Sequence, residues 1–377
     1  MRILHIITTL DVGGAEMHLL SQVRGQCARG HELRVCYLKG EGSLAKDFRS
    51  AGAEHVGRVG WLPFGARSLA PHLPWADVVH SHLLKADGLA ALTATLHGRR
   101  ARLISGKHND EQVLRRPLVS LVHGLIARLP RRTVVLSDHV GRFFREHGRM
   151  SEEGMRRIYY GIDRVPFERA RDADPAERAA LRASFGFGPD DVLFVCVARF
   201  APQKAHDVLL DAFAAATRCE GAPPMGLLLV GDDPFGDGRQ RAERHARSLD
   251  LGQRVHFAGI RRDVPALLAA SEVFVMSSLW EGLGLVFLEA MACGLPVLST
   301  RVSAIPEVVQ EGVTGLLVSA GDVSELARGF ATLARDGERR RELGEAGQER
   351  VRSHFGIERM VEETLAVYRE VLEESGA

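Results

Sequence analysis

Short apolar runs alternate with amphipathic stretches of helical length along almost the entire chain. Such alternation is typical of βαβ units, in which helices join parallel strands. The predicted strands of the first half are residues 2–9, 32–38, 77–80, 102–105 and 133–136. Those of the second half are residues 192–197, 226–230, 255–258, 273–276 and 296–299. The pattern therefore predicts an α/β protein with parallel sheets.

The alternation is interrupted once, over residues 164–190, where charged residues, proline and glycine replace the apolar runs. The chain has 377 residues, and a domain usually contains about 100–200, so we expect two domains. Their boundary is placed near residues 161–163. Helical periodicity returns at the C-terminus, over residues 338–354 and again over residues 357–372.

The cysteine content and the charge distribution indicate the redox environment of the protein and the partners that it could attract. The five cysteines form no Cys-x-x-Cys pair, which favours free thiols in a reducing cytoplasm over a zinc site or disulfides. Residues 1–163 contain 24 Lys and Arg and 15 Asp and Glu, and the remainder contains 25 and 33, so the two parts carry net charges of +9 and −8. A basic domain can attract anionic lipid or an anionic acceptor. A solvated basic surface without a partner is the alternative.

One amphipathic stretch within the basic part is a candidate for contact with lipid. Residues 115–132 place Leu118, Leu121, Leu125 and Ile126 between basic ends, a pattern that suits a helix lying on a membrane surface. We favour the other interpretation of this stretch, a helix that faces the core and has solvated ends.

The candidates for ligand contact are the residues that follow each strand, because doubly wound α/β folds bind ligands beyond the carboxyl ends of their strands. Gly13 and Gly14 follow the first strand and open a helix, where free N–H groups and the helix dipole suit a diphosphate. Arg199 and Lys204 follow strand 192–197 and offer two cations for phosphates. The structural alternatives are an ordinary glycine turn and a loop with solvated cations.

The most informative segment spans residues 278–296, after strand 273–276. Glu281 lies in a glycine-rich turn, and Glu289 lies within an otherwise apolar helical run. A buried carboxylate needs a partner, and paired sugar hydroxyls would provide one. The alternative for Glu289 is an exposed helix face, but its apolar neighbours argue against that.

Glu281-x7-Glu289 resembles the E-x7-E motif of retaining GT-B glycosyltransferases, in particular those of family 4. Further segments resemble motifs of the same family in the same order. They are Gly13-Gly14-Ala15-Glu16, Arg199 with Lys204, residues 229–232, residues 257–259, residues 305–307 and residues 314–318. The ordered set covers nearly the whole chain. The sequence departs from the family pattern at residues 231–238, which are longer than the usual turn.

The resemblance implies a GT-B fold, with two Rossmann-like domains whose parallel sheets face each other across a cleft. Residues 1–163 plus 357–377 would form the acceptor-side domain, because the final helix of the family crosses back onto it. Residues 164–356 would form the domain that binds the nucleotide-sugar donor. The family implies transfer with retention of anomeric configuration, in which the departing phosphate accepts the proton of the acceptor. It also implies that no metal and no other cofactor is needed.

The resemblance also implies roles for single residues in donor binding. Glu289 would hold the ribose hydroxyls, and Glu281 would bind a hydroxyl of the donor sugar. Arg199 and Lys204 would neutralise the leaving diphosphate. The remaining donor contacts would be Gly13, Gly14, Gly231, Gly259, Gly282, Leu283, Gly284 and Leu285.

In the first domain, His108 matches the active-site histidine of the family, which lies near the anomeric carbon of the donor. Asp110 is a nearby alternative to His108. His80 and His82, which follow another strand, would line the acceptor side together with Asp110.

The expected donor is a UDP-hexose, with GDP-mannose next, and the expected acceptor is a glycan or a lipid-linked intermediate of a surface polysaccharide. We expect a cytoplasmic protein, with peripheral contact to the inner face of the membrane as a hypothesis and no nucleic-acid partner. Two alternatives share the fold: a nucleotide-sugar 2-epimerase and a catalytically silent partner subunit. A GT-A enzyme would need a metal-binding Asp-x-Asp, and Asp172-Ala173-Asp174 is instead interpreted as a solvated loop.

Overall fold

The computed structural model describes residues 1–233 and 236–376, apart from the side chain of Ala101. Pro234 and Phe235, in the long turn after residue 231, lie outside the described residues. The chain divides into two compact units, Met1–Ile162 with Phe355–Ala377, and Asp163–His354. These bounds lie within two residues of the domain bounds expected from the sequence.

The first unit contains a seven-stranded sheet in the order β3-β2-β1-β4-β5-β6-β7, with every neighbouring pair parallel. Its strands are β1 (Arg2–Ile7), β2 (Glu32–Tyr37), β3 (His55–Arg58), β4 (Val78–His82), β5 (Leu103–Lys107), β6 (Arg132–Val135) and β7 (Met155–Arg157). Its helices are α1 (Gly14–Cys27), α2 (Ala45–Ser50), α3 (Phe64–Leu69), α4 (Leu84–Leu96), α5 (Pro117–Ile126), α6 (Asp138–Glu146) and α16 (Ile357–Glu374).

The second unit contains a six-stranded sheet in the order β10-β9-β8-β11-β12-β13, again parallel throughout. Its strands are β8 (Val192–Val197), β9 (Met225–Val230), β10 (Val255–Gly259), β11 (Val273–Met276), β12 (Val297–Thr300) and β13 (Gly315–Val318). Its helices are α7 (Val165–Arg171), α8 (Pro175–Ser184), α9 (His206–Thr217), α10 (Gly238–Ser248), α11 (Val264–Ala269), α12 (Leu285–Ala292), α13 (Ile305–Val308), α14 (Val323–Arg335) and α15 (Gly337–His354).

The charged stretch between the two halves forms α7 and α8. Asp172 pairs with Arg171, and Asp174 accepts a hydrogen bond of 2.8 Å from the backbone N–H of Ala176 at the start of α8. The two aspartates of this Asp-x-Asp sequence therefore form a surface ion pair and a helix cap.

Both faces of the first sheet are covered, as its βαβ pattern requires. On β1, Ile3 and Ile7 belong to one buried cluster and Leu4 and Ile6 to another, because successive side chains of a strand point to opposite faces. The C-terminal helix α16 contributes Met360, Val361, Leu365, Tyr368 and Val371 to the first of these clusters. The last segment of the chain thus completes the core of the first unit.

Helix α5 corrects one expectation from the sequence. Leu118, Leu121 and Leu125 are 73%, 46% and 60% exposed, so the interpretation of this stretch as a core-facing helix is wrong for these three residues. Only Ile126, of the four apolar residues noted, packs against a buried cluster. No helix among the described residues is long and apolar enough to cross a membrane.

Candidate active site

The second unit brings Lys204 and Glu281 together, although 77 residues separate them in sequence. Lys204 ends a short 3-10 turn that follows β8, and its Nζ forms an ion pair with Glu281 Oε1. The two side chains are only 12% and 7% exposed. Ser278 Oγ donates a further hydrogen bond of 2.7 Å to Glu281 Oε1. Because a buried charge is tolerated only when it is paired, this contact fixes the orientation of both groups.

Glu289 lies on α12, eight residues beyond Glu281, and its surroundings are different. Its side chain is half-buried, and no described residue forms an ion pair or side-chain hydrogen bond with its carboxylate. Burial raises the pKa of Glu289 to about 7, because desolvation disfavours the charged form. A carboxylate left in this condition needs an external hydrogen-bond donor, as its apolar neighbours in the sequence suggested.

The turn between these two glutamates depends on glycine at Gly284. This residue precedes α12 with a φ of 78°, in the left-handed region that favours glycine. A Cβ at this position would also lie 2.5 Å from the ring of Phe287. The turn therefore brings the backbone of Gly282, Leu283 and Leu285 to the N-terminus of α12, where the first N–H groups of a helix have no partner within it.

Two glycines, Gly231 directly after β9 and Gly259 at the end of β10, contact each other in this unit. The N–H of Gly231 donates a 2.9 Å hydrogen bond to the carbonyl of Gly259, and a Cβ at Gly231 would lie 1.9 Å from the carbonyl oxygen of Ala198. Arg199, the next residue, is exposed and forms no ion pair within the described chain. The structure thus places Arg199 and Gly231 at the carboxyl ends of the neighbouring strands β8 and β9, with Arg199 outside the Lys204–Glu281 pair.

In the first unit, Gly13 and Gly14 open α1 with different local requirements. A Cβ at Gly13 would lie 2.5 Å from Glu16 Oε2, and Glu16 also accepts a hydrogen bond from Thr9 Oγ1. Apart from its chain neighbours and the backbone of its own helix, no atom of the described residues lies within 4 Å of the position that a Cβ of Gly14 would occupy. Packing within the unit therefore explains glycine at residue 13, whereas it does not explain glycine at residue 14.

His108 follows β5 and is the end member of a buried hydrogen-bonded chain of imidazoles. Its Nε2 lies 2.9 Å from His82 Nδ1, and His82 Nε2 lies 3.0 Å from His5 Nδ1. His5 Nε2 lies 3.0 Å from Gln26 Oε1. At the other end, His108 Nδ1 lies 2.7 Å from the hydroxyl of Tyr160. The sequence expectation thus located His108 and His82, but not His5, Gln26 or Tyr160.

The direction of this chain follows from its amide end. Gln26 Oε1 can only accept, so His5 Nε2–H donates to it and His5 Nδ1 must accept from His82 Nε2–H. By the same reasoning His108 Nε2–H donates to His82 Nδ1, and the hydroxyl of Tyr160 donates to His108 Nδ1. Burial lowers the pKa values of His5 and His108 to about 4, which keeps these imidazoles neutral near pH 7. Both nitrogens of His108 are therefore engaged.

His80 belongs to a further branch of hydrogen bonds, which involves the C-terminal helix and meets the imidazole chain at Gln26. The hydroxyl of Tyr368 lies 2.7 Å from His80 Nδ1 and accepts a 3.0 Å hydrogen bond from Gln22 Nε2. It also lies 3.5 Å from Gln26 Nε2, a second donor, so both of its lone pairs are used and its own proton is donated to His80. His80 and His82 are both buried, so neither presents its ring to a surface, and either could influence an acceptor only through other side chains.

Asp110 and Lys107, near His108, have partners of their own. Asp110 Oδ2 lies 2.8 Å from His139 Nε2. Lys107 Nζ forms a buried ion pair of 2.5 Å with Asp87 Oδ2. The other carboxylate oxygen of Asp87, Oδ1, accepts a hydrogen bond from Ser81 Oγ. The Lys107–Asp87 pair was not expected from the sequence, because its members lie 20 residues apart and neither is in a recognisable motif.

The chain matches two family profiles, one in each half. Residues 177–350 match the profile of the family "Glycosyl transferases group 1", and residues 12–165 match that of "Glycosyltransferase Family 4". The chain is 30% identical over 300 residues to N-acetyl-α-D-glucosaminyl L-malate synthase of Bacillus anthracis, a match that covers 78% of this chain and 75% of that protein. This chain belongs to glycosyltransferase family 4.

A second relative of this family 4 glycosyltransferase is the D-inositol 3-phosphate glycosyltransferase of Saccharomonospora viridis. The two are 30% identical over 325 residues, which is 84% of this chain and 68% of the relative. Among solved structures, HepE of Anabaena in complex with UDP-glucose is similar with a TM-score of 0.85 and 23% identity, over 100% of this chain and 99% of that one. This likeness shows the GT-B fold, and the family shows that the chain is a nucleotide-sugar glycosyltransferase.

Sequence reasoning about this family 4 enzyme missed the residues that support His108. One signal was available for His5, since a histidine within the apolar run of β1 needs a buried partner. Tyr160 and Tyr368 gave no comparable signal, because an aromatic residue beside apolar neighbours is ordinary core composition.

Proposed function

We propose that this glycosyltransferase transfers a hexosyl group with retention of configuration from a UDP-sugar to a hydroxyl of an anionic or lipid-linked glycan intermediate. GDP-mannose is the second choice of donor. The observation that carries the proposal is the contrast between the two glutamates of the Glu281-x7-Glu289 segment. Glu281 is fixed by Lys204 and Ser278, whereas the half-buried carboxylate of Glu289 has no partner among the described residues.

This contrast suits two kinds of contact with a donor. The carboxylate of Glu289 would accept hydrogen bonds from the two ribose hydroxyls, which would replace the water that burial has removed. Glu281 would accept a hydrogen bond from the sugar. Lys204, together with the exposed Arg199, would stabilise the negative charge that develops on the departing diphosphate. The backbone at Gly231, Gly259, Gly282, Leu283, Gly284 and Leu285 would complete the donor site.

The chemistry proposed for the transfer is consistent with the hydrogen bonds of His108. The bond between the anomeric carbon and the diphosphate oxygen breaks, and the acceptor oxygen bonds to that carbon on the same face. Because Nε2–H of His108 donates to His82 and Nδ1 accepts from Tyr160, neither nitrogen is available as a base. The proton of the acceptor therefore goes to the departing phosphate. His108 is proposed to contact the transferred sugar, and no metal ion is required.

The acceptor is proposed to be anionic because two observations agree. Residues 1–163 carry a net charge of +9, and the names of the two relatives above specify a malate and an inositol phosphate. A cationic surface raises the local concentration of such acceptors. Asp110, His80 and His82 remain the proposed residues of the acceptor side, with His80 and His82 acting through the side chains that they contact.

Peripheral contact with an anionic membrane is proposed for the surface of α5. The exposed Leu118, Leu121 and Leu125 lie on one short helix, with Arg115 and Arg116 before it and Arg128 and Arg131 after it. An apolar helix face with basic residues at both ends is typical of segments that lie on anionic lipid. This contact would bring the enzyme to a lipid-linked acceptor.

The donor is tested by calorimetric titration of the purified chain with UDP, GDP and ADP. We expect UDP to bind most tightly, without added Mg²⁺ or Mn²⁺. Tightest binding of GDP would replace the UDP-sugar with GDP-mannose, and absence of binding by all three would favour a catalytically silent partner subunit.

The reaction is tested with the matching nucleotide sugar and paired acceptors, L-malate against succinate and inositol 3-phosphate against inositol. We expect nucleotide release that depends on an acceptor carrying both a hydroxyl and a negative charge, and an NMR spectrum of the product that shows the anomeric configuration of the donor. Inverted configuration would contradict retention. Interconversion of the donor sugar without transfer would identify an epimerase.

A further inference from the structure

Three side chains with metal-binding atoms meet in the first unit, and none of them is among the residues proposed for donor or acceptor. They are Cys36, His55 and His72, and one ligand atom from each lies within 4.8 Å of those of the other two. Their positions in the chain are irregularly spaced, so no sequence motif marks them. The fold alone brings them together.

The sheet register explains how His55 reaches Cys36. In the pairing of β2 with β3, Arg34 lies opposite His55 and Cys36 lies opposite Gly57, so these four residues point to the same face of the sheet. A Cβ on Gly57 would lie 2.5 Å from His55 Nε2. The imidazole therefore lies over Gly57 and beside the thiol of Cys36. A side chain at position 57 would take the space of this imidazole, so glycine is required there.

His72 approaches the same face from the short 3-10 turn Ala70–His72. Its ring centroid lies 4.8 Å from that of His55, with the two planes inclined by 39°. His72 Nδ1 is buried and has no hydrogen-bond partner among the described residues. Buried nitrogens are rarely left unpaired in proteins, so this atom points to a ligand that the polypeptide itself does not supply.

We propose that Cys36, His55 and His72 bind one Zn²⁺ ion through a thiolate and two neutral imidazoles, with water as the fourth ligand. Thiolate and imidazole are the preferred protein ligands of this ion, in four-coordinate sites. The ion would join the edge strand β3 and the 3-10 turn to β2. Its role would be to stabilise the first unit, which is separate from the chemistry of sugar transfer.

The protonation states of the three side chains are compatible with zinc binding. Burial, with a contribution from Arg34, lowers the pKa values of His55 and His72, so both imidazoles are neutral near pH 7. Burial raises the pKa of Cys36 to about 12, so the thiol keeps its proton in the absence of metal. Binding would form the sulfur–zinc bond and release that proton to solvent. The guanidinium of Arg34, stacked 4.0 Å from the centroid of the Trp75 ring, favours the thiolate.

A second histidine group, His5, His80 and His82, also places nitrogens within 4.8 Å of one another. It contains no thiol, and the nitrogens that join His5 to His82 are already used in a hydrogen bond. A dication would be buried there without any negative ligand, which is unfavourable. The cysteine-containing group is therefore the better site.

The test is a titration of the metal-free, full-length protein with Co²⁺, which substitutes for Zn²⁺ and has a near-ultraviolet charge-transfer band only when a thiolate is bound. We expect one equivalent of Co²⁺ to produce this band and Zn²⁺ to abolish it by competition. Cys36→Ala should remove the band, and His72→Ala should weaken Co²⁺ binding by more than about tenfold. Cys196→Ala, which removes a buried thiol of the second unit, is the matched control and should leave the titration unchanged.

Thermal unfolding gives a second measurement on the same proteins. Zn²⁺ should raise the melting temperature of the parent protein and of Cys196→Ala, but not that of His72→Ala, because a ligand stabilises only the state that binds it. The proposal is overturned if the charge-transfer band is absent or survives in Cys36→Ala. It is equally overturned if Co²⁺ binds without a thiolate band and this binding is lost in His80→Ala, since the ion would then lie at the other histidine group.

Discussion

His108 Nε2 lies 2.9 Å from His82 Nδ1 and donates its proton to it. This contact fixes which nitrogen of His108 carries the proton, because the chain of hydrogen bonds ends at an amide oxygen that can only accept. Gly106, on β5, leaves the space in which the contact forms. A Cβ at this position would lie 3.0 Å from His108 Nε2 and 3.1 Å from His82 Nδ1.

Gly106→Ala should therefore disturb the His82–His108 hydrogen bond. We expect turnover, measured as nucleotide release from the preferred donor, to fall by up to about tenfold, because a neutral hydrogen bond contributes about 0.5–1.5 kcal/mol and about 1.4 kcal/mol corresponds to a tenfold change in rate. Gly141→Ala is the matched control, since a Cβ there makes only an ordinary 3.6 Å contact with Val135. Equal activities of the two variants would show that the geometry of this pair has no part in the reaction.

The buried histidines make the stability of the first unit depend on pH. The pKa values of His5 and His108 are about 4 in the folded protein, against an ordinary 6.5. Between about pH 6.5 and 4 the unfolded chain therefore binds more protons than the folded one, so stability should fall as the pH falls. The expected slope is about 1.4 kcal/mol per pH unit for each histidine.

Hydrogen exchange of peptides from β1 and β4 at pH 7 and pH 5.5 measures this effect in the first unit. His18→Phe should reduce the slope, because His18 is buried with a pKa well below its usual value, chiefly through desolvation, and phenylalanine does not titrate. Protection that is independent of pH, after correction for intrinsic exchange, would contradict the prediction.

Glu289→Gln should stabilise the protein above about pH 7. The pKa of Glu289 is raised to about 7 by burial, from an ordinary 4.5, so the carboxylate destabilises the folded state increasingly as the pH rises from 4.5 through 7. Removal of its charge should raise the free energy of unfolding by up to about 3 kcal/mol at pH 8 and have no effect below about pH 4.5. Urea unfolding at the two pH values measures the difference.

The same Glu289→Gln substitution should weaken UDP binding by about 10–100-fold, because hydrogen bonds to a charged acceptor are each worth about 1.5–3 kcal/mol. In the parent protein the affinity for UDP should increase from pH 6 to pH 8 as Glu289 ionises, and this dependence should vanish in the variant. Glu281→Gln provides the contrast in stability, because it leaves Lys204 unpaired and should lower the free energy of unfolding. If Glu289→Gln binds UDP as tightly as the parent protein, Glu289 is not part of the donor site.

Gly14→Ala tests whether glycine is needed at residue 14 for contact with a ligand or for packing. No described atom beyond the adjacent residues and the local helix backbone lies within 4 Å of the new Cβ. Because alanine is also the better helix former, stability should be unchanged or higher by about 0.5–1 kcal/mol. If the diphosphate approaches this backbone, turnover should nevertheless fall. Calorimetry and nucleotide release on the same preparation measure the two effects, and undiminished turnover would show that residue 14 does not meet the donor.

The triple variant Leu118→Glu, Leu121→Glu, Leu125→Glu tests the membrane surface. These side chains are already exposed, so folding should be preserved, but a negative helix face would be repelled by anionic lipid. We expect the parent protein to sediment with phosphatidylserine vesicles and not with neutral phosphatidylcholine vesicles, and the variant to sediment with neither. Sedimentation that is independent of lipid charge would reject the proposed contact.

The sequence predicted most strands but not all of them. β8 and β11 were predicted at their observed bounds, because each is a continuous buried apolar run between clear breaks. β3, β7 and β13, each at an edge of its sheet, were not predicted. Only one residue of β3 is fully buried, and none of β7 is, so these two strands carry little of the apolar signal on which sequence reasoning depends. β13 is buried at three of its four residues, but a run of four residues is short for a sequence prediction.

By itself, the sequence determined the α/β class, the two-part organisation, the family and the candidate donor residues, because these depend on local periodicity and on ordered motifs. Only the tertiary structure decided which side chains are partners. Lys204 holds Glu281, Glu289 has no partner within the described part of the chain, and His108 joins a chain that ends at Gln26. Such contacts link positions far apart in sequence through sheet register and burial. Burial also sets the pKa values on which the proposed chemistry depends, and no local pattern encodes it.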